Sequence, residues 1–208
     1  MQRTLVHIES PPAEPATSTA ALDDPLSLAS ALAARLCHDV AGLLGTLAGT
    51  LELIGEAPEA VELAADTAAI LSARLRLLRA AWGGGGGALD GAGILELACG
   101  LPGIERLRID ATSLRGSLEE DPARLALCLL LAAAPTLPRG TLVSLLGAAD
   151  GGFTITLEGP GATWPASLAA AGPSHARSAL AASFAQLLAS RTGWHLTASA
   201  GSVTAGRL

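Results

Sequence analysis

His38 and Asp39 stand side by side in Leu36-Cys37-His38-Asp39-Val40. A neutral imidazole near pH 7 is a competent nucleophile and a ready proton carrier. A neighbouring carboxylate can hold Nδ1–H, fix the tautomer and balance charge that develops on the ring, leaving Nε2 to attack. Arg35, one helical turn earlier, either supplies a cation for an anion held at the ring or is an ordinary solvated surface residue. Ala41, Gly42 and Gly45 follow the histidine by three, four and seven residues, the positions of helical neighbours. Each glycine inside a helix costs about 0.8–1 kcal/mol relative to alanine. Access of a partner's active site to the imidazole would explain the two glycines, as would close helix packing or a Gly-rich coding bias. Glu52, further along, is read as part of a solvated face or as a contact at the far end of a docked partner.

The elements that must position these residues are written in the helix signals. Asp24-Pro25, Pro58-Glu59 and Asp121-Pro122 each set an oxygen-bearing cap or an acidic residue beside a proline at a first turn. Leu28, Leu32, Leu36, Val40, Leu43, Leu47, Leu51 and Ile54 recur at steps of three and four, which predicts a helix from 25 to about 55. His38 lies about 200° around that helix from Leu36 and from Val40, opposite the apolar stripe and pointing outward. Ala64, Ala68, Leu71, Leu75, Leu78 and Trp82, widened by Leu63, Ile70 and Leu77, predict a second long helix ending at 82. So short a turn makes the two helices antiparallel, and a lone hairpin leaves parts of both stripes in water. A second copy would complete a four-helix bundle by two-fold symmetry, so a homodimer is expected. The alternative is that the rest of the chain folds back over the stripe.

Five consecutive glycines at 83–87 predict a flexible linker and a domain boundary. Beyond them, 88–208 reads as helices over 92–98, 122–134 and 176–190 with strands over 106–110, 141–146, 153–157, 194–199 and 202–206. Asp150-Gly151-Gly152 supplies a hairpin turn. The expected fold class is therefore α + α/β: a helical hairpin over 25–82, then an α/β sandwich of helices on one mixed sheet. Residues 1–24 read as a disordered tail without the continuous apolar core of a signal peptide.

Composition removes several function classes. Thirteen basic residues against nineteen acidic ones leave a net charge of −6, which speaks against a nucleic-acid binder. All the basic residues are arginine, and the chain has no Lys, Asn or Tyr. Cys37, Cys99 and Cys128 are widely spaced and form neither a disulfide framework nor a zinc site, which fits a reducing cytoplasm. The longest apolar run, 125–135, falls short of the ~20 residues that span a bilayer, so no membrane partner is expected. His7 in the tail, His175 in a loop and His195 at a strand start make no metal spacing.

A His-Asp pair on the first helix of a hairpin, with an α/β domain behind it, resembles the dimerisation and ATP-binding modules of sensor histidine kinases. Leu36-Cys37-His38-Asp39-Val40, Leu51-Glu52-Leu53 and the stretch 179–193 leading into the last strands resemble more narrowly the ChpT-type histidine phosphotransferases of alphaproteobacterial phosphorelays. The resemblance covers about 26–206. Where that family has a proline soon after the His-Asp pair, this chain has Leu43 or Leu44. Metal-dependent phosphohydrolases share the dipeptide, but the further His and Asp ligands they need are not present in pattern.

The phosphotransferase resemblance implies a dimeric four-helix bundle and a degenerate histidine-kinase ATPase domain. His38 would take a phosphoryl group from the receiver domain of a hybrid histidine kinase and give it to a response regulator, with Asp39 holding Nδ1–H. Mg²⁺ would come with the receiver, and the chain would hold no cofactor of its own. A non-catalytic docking regulator of a receiver or kinase is the alternative, and enzyme status stays open. Against the kinase pattern, Ala132 stands where Asn would hold magnesium and Leu157 where Asp would read adenine. Arg177-Ser178-Ala179-Leu180 replaces the lid glycines. ATP use is therefore not expected, and the absence of Asn is independent of register. Arg177 and the loop around Trp164 are candidate receiver contacts.

Overall fold

Pro25 opens the first helix, α1 (Pro25–Glu52), and Pro58 caps the second, α2 (Glu59–Leu78), whose first turn carries Glu59 and Glu62. Both carboxylates complement the helix dipole there. The computed structural model describes residues 25–55, 57–169 and 179–207; the expectations for the tail 1–24, His175 and Arg177-Ser178 fall outside them. α2 runs on into a single π turn, Arg79–Gly83. Small residues fill the seam where the two helices pack, with Thr50, Ala60, Ala64 and Thr67 buried.

The apolar stripe of α1 meets two different fates. Leu28 and Leu32 are buried with Leu180, and Trp82, Phe184 and Leu187 pack against them, so the chain does fold back over the first two turns. Further along the hairpin Leu44, Leu51, Ile54, Leu63 and Ile70 remain 40–54 % exposed. By length and composition α1 also passes as a membrane span, although its apolar residues form no continuous run. Arg35 and Asp39 stand in its middle, and each charge would cost about 2.5–3.5 kcal/mol at a bilayer centre. Here they pair with each other, and α1 packs on α2 and on the C-terminal domain.

That domain contains β1 (Leu89–Asp90), α3 (Gly91–Ala98), β2 (Arg108–Asp110), β3 (Ser117–Leu118), α4 (Glu120–Ala133), β4 (Leu142–Gly147) and β5 (Phe153–Glu158). α5 (Ala166–Ala169), α6 (Leu180–Thr192), β6 (Trp194–Ala198) and β7 (Ser202–Arg207) follow. Five strands form one mixed sheet in the order β2-β4-β5-β7-β6, with β2 parallel to β4 and every other pair antiparallel. Alternation assigns the faces: Phe153, Ile155 and Leu157 point into the core, while Thr154 and Thr156 lie on the opposite face. There Thr154 and Thr204 bond across strands at 3.0 Å. The helical hairpin and the mixed α/β sandwich are as the sequence indicated; β1 and β3, two residues each, were too short to be legible.

The hairpin does not end cleanly at the glycines. Leu77, Leu78 and Ala81 belong to the same core as α4 and the sheet, and the Cys128 thiol reaches the Ala81 carbonyl at 3.5 Å. Gly84, Gly85 and Gly87 take positive φ, and the Gly85 N–H donates to the Glu120 carboxylate.

Gly100 fixes how closely α3 approaches α2: a Cβ there would fall on the Ala73 carbonyl and lie 3.0 Å from the Leu77 Cβ. Gly100→Ala should destabilise the protein by about 1–3 kcal/mol, as overpacking does. At ~2–4 °C per kcal/mol for a chain of this size, scanning calorimetry should find Tm several degrees lower. An unchanged Tm would mean that α2 does not bear on this turn.

Candidate functional site

α1 carries His38 exposed between the half-buried Leu36 and Val40, the outward placement that the spacing required. Ala41, Gly42 and Gly45 are exposed as well, so the surface along the helix from the imidazole is low and open. A Cβ added at Gly42 or Gly45 would meet nothing within 4 Å. Close packing inside this chain therefore does not explain the glycines, and the other two readings stand. Glu52 is exposed at the end of α1, fourteen residues on. At 1.5 Å rise per residue it is about 21 Å away, and it does not meet His38.

Asp39 is held by Arg35 rather than by His38. The Arg35 Nε donates to Asp39 Oδ2 at 2.9 Å, with side chains 30 % and 22 % exposed. Adjacent residues on a helix point about 100° apart, so i,i+4 partners meet where i,i+1 partners do not. His38 itself has no hydrogen bond or ion pair among the described residues. An i,i+4 pair of this kind contributes only about 0.3–0.5 kcal/mol, too little to be a main source of stability. Its consequence is orientation, because it holds one guanidinium and one carboxylate in fixed positions within a turn of the imidazole.

A third charged group was not anticipated. Arg74, on α2, lines the same cavity of about 350 Å³ as Arg35 and Asp39. Burial lowers its pKa from the ordinary arginine value; the Asp39 charge opposes that shift and the Arg35 charge adds to it. Two guanidinium groups thus feel one carboxylate, but only Arg35 is bonded to it. The sequence held one clue, in that Arg74 is a charge amid the apolar positions of α2, but which turn of α1 it faces depends on how the two helices pack.

The positions set against the kinase pattern are apolar and enclosed. Ala132 and Leu157 lie in one core with Ala182 and Val203, and Ala179 and Leu180 are buried. Trp164 is only 8 % exposed and its ring packs in that core, while Gly161 and Thr163 beside it in the loop are exposed. His195 is exposed on the edge strand β6. No three His, Cys, Asp or Glu side chains among the described residues cluster as metal ligands. Cys128 is wholly enclosed and its thiol pKa is pushed up to about 12 by burial, whereas Cys37 and Cys99 are exposed.

Comparison with known proteins adds three likenesses. Residues 93–202, more than half of the chain, match the family model described as the histidine phosphotransferase C-terminal domain. A solved bacterial phosphotransferase is 26 % identical and superposes with a TM-score of 0.65, covering 88 % of this chain and 96 % of its own. The histidine kinase domain of a blue-light activated histidine kinase from Erythrobacter litoralis EL346 is 15 % identical with a TM-score of 0.40, over 79 % of this chain and 93 % of that one. No curated protein matches the chain.

Open space over Gly42 and Gly45 makes their replacement a clean test of the helix. Each change to alanine should stabilise the protein by about 0.8–1 kcal/mol, the helix-propensity difference, since no atom stands in the way. Thermal denaturation measures it. A loss of stability in either variant would mean that this face is packed rather than open.

Proposed function

Because the chain belongs to the histidine phosphotransferase family, we propose that it relays a phosphoryl group between receiver domains, from aspartate to His38 to aspartate, without binding ATP. The observation that carries this reading is the exposed, unpartnered imidazole of His38 on an open strip of small residues. The partners are then the receiver of a hybrid histidine kinase and a response regulator, each bringing its own Mg²⁺, and the setting is the cytoplasm. Phosphotransfer is in keeping with the family and with the solved phosphotransferase.

The chemistry needs alignment and charge more than machinery. One His38 nitrogen attacks the phosphorus of the receiver's aspartyl phosphate in line. The N–P bond forms as the P–O bond to the aspartate breaks, and the carboxylate leaves with the bonding pair. A second receiver's aspartate reverses the step. Asp39 acts through Arg35, holding the guanidinium one turn from the imidazole, where it meets phosphoryl charge. Ala41, Gly42 and Gly45 keep the approach low for the receiver, and Glu52 is reached only by the far edge of a large interface. Against nucleotide binding stand Ala132, which offers no ligand atom, and Leu157, which cannot accept a hydrogen bond from adenine. Both are closed into the core.

The exposed leucines and isoleucines of the outer hairpin supply the argument for a homodimer. A second hairpin over Leu44, Leu51, Ile54, Leu63 and Ile70 removes them from water and makes the four-helix bundle.

Incubation with a panel of phosphorylated receivers should place an acid-labile label on the wild-type chain and none on His38→Ala, while ATP alone labels neither. Asp39→Ala should slow labelling roughly tenfold, the scale of one charge-assisted hydrogen bond. Equal labelling of wild type and His38→Ala would sink the proposal; a docking regulator would leave both unlabelled. Light scattering at micromolar concentration should give twice the chain mass, and a monomer mass would exclude the bundle.

A further inference from the structure

The cavity shared by Arg35, Asp39 and Arg74 has more in it than the relay requires. It lies where α1 and α2 meet the C-terminal domain, and Trp82, Leu131 and Leu180 build its apolar wall. Its volume of about 350 Å³ falls in the range of small-molecule sites. Two of its lining residues carry buried donors without a hydrogen-bond partner: the Arg74 Nε and the Trp82 Nε1. Unsatisfied buried donors are uncommon in native proteins, because an N–H taken out of water without an acceptor loses its hydrogen bond to solvent. Both belong to side chains that line this cavity, Trp82 standing between it and a neighbouring one, so a small shift of either side chain would bring its donor to a ligand there. The charged residues that line it sum to one excess positive charge in a chain whose net charge is −6.

We propose that this cavity binds a small organic anion, a compact apolar body carrying one phosphate or carboxylate group. The anionic oxygens accept from the orphaned Arg74 Nε–H and the Trp82 indole N–H and offset the excess charge, and the apolar body packs on Leu131 and Leu180. An apolar pocket without charge would take a neutral hydrocarbon, and a bare arginine pair would take any inorganic anion. The mixed wall selects a ligand with both parts. Asp39 already engages Arg35, which leaves Arg74 as the residue that grips the ligand.

The inference does not rest on phosphotransfer by His38, and its readout is separate. Nitrogen-15 labelled full chain is titrated with phenyl phosphate, inorganic phosphate and benzyl alcohol while the Trp82 indole N–H resonance is followed, assigned with a Trp82→Phe variant. Phenyl phosphate should shift that resonance saturably and bind at least ~tenfold more tightly than either part-ligand, as burial of one ring and one charged hydrogen bond requires. Arg74→Gln should weaken phenyl phosphate ~tenfold, with the Trp164 and Trp194 resonances unchanged as evidence of folding. Arg191→Gln, which removes an exposed arginine at the other end of α6, should leave binding as it was. No saturable shift, equal affinity for inorganic phosphate, or equal losses in the Arg74 and Arg191 variants would each overturn the proposal.

Discussion

α4 is apolar on every side, and a helix of that kind must be covered on every side. From Pro122 to Ala133 only Arg124 escapes full burial. One sheet cannot enclose it, since a sheet covers one face. α3, α6 and the last turns of α2 with the π turn take up the rest. That requirement ties the helical hairpin to the sandwich. Leu77, Leu78 and Ala81 are at once the end of α2 and part of the α/β core. With its base held there, the start of α1 comes down on α6, and the outer hairpin projects with its stripe uncovered.

The same burial explains why a domain of this shape has so little polar chemistry inside it. A ligand atom for magnesium or an acceptor for adenine is stable in such an interior only while its partner is bound, because an unpaired buried polar group costs several kcal/mol. With Ala132 and Leu157 at those positions the core closes on apolar side chains. Cys128 takes part as a small apolar residue, its ionisation suppressed by the enclosure. His38 stands outside that core, on the hairpin, where it is solvated and can be approached.

Much of this was legible in the chain. The leucine period of α1, the proline signals at Pro25 and Pro58 and the Asp150-Gly151-Gly152 turn located helices and strands to within a few residues, because each is a local rule with a local cause. His38 facing outward followed from counting residues per turn. What failed were inferences across space. Asp39 was set on its sequence neighbour, although the Arg35 four residues back was the better geometric partner. Trp164 sits in a loop by sequence and in the core by packing. The glycine run was readable as a break in helix, but nothing local tells that Leu77 and Ala81 before it belong to the core beyond it. Arg74 was invisible as a site residue, since its place against Asp39 depends on the packing register of the two helices.

The electrostatic layout follows from these same constraints. A chain with a net charge of −6 presents a negative field at long range, so a cavity with an excess of positive charge is a local exception. Here the exception is made with two arginines and one carboxylate and no further cation from the described part of the hairpin's α1. Pairing Arg35 with Asp39 keeps its guanidinium from collapsing onto the nearest free acceptor, and Arg74 restores the positive excess from behind. Arg74 can do so only because α2 is pinned at its C-terminal end by the enclosure of α4. If α2 slid by one turn, about 5.4 Å, Arg74 would leave the cavity it shares with Arg35 and Asp39. By fixing α2, the core helix therefore decides which charges line the cavity beside Arg35 and Asp39.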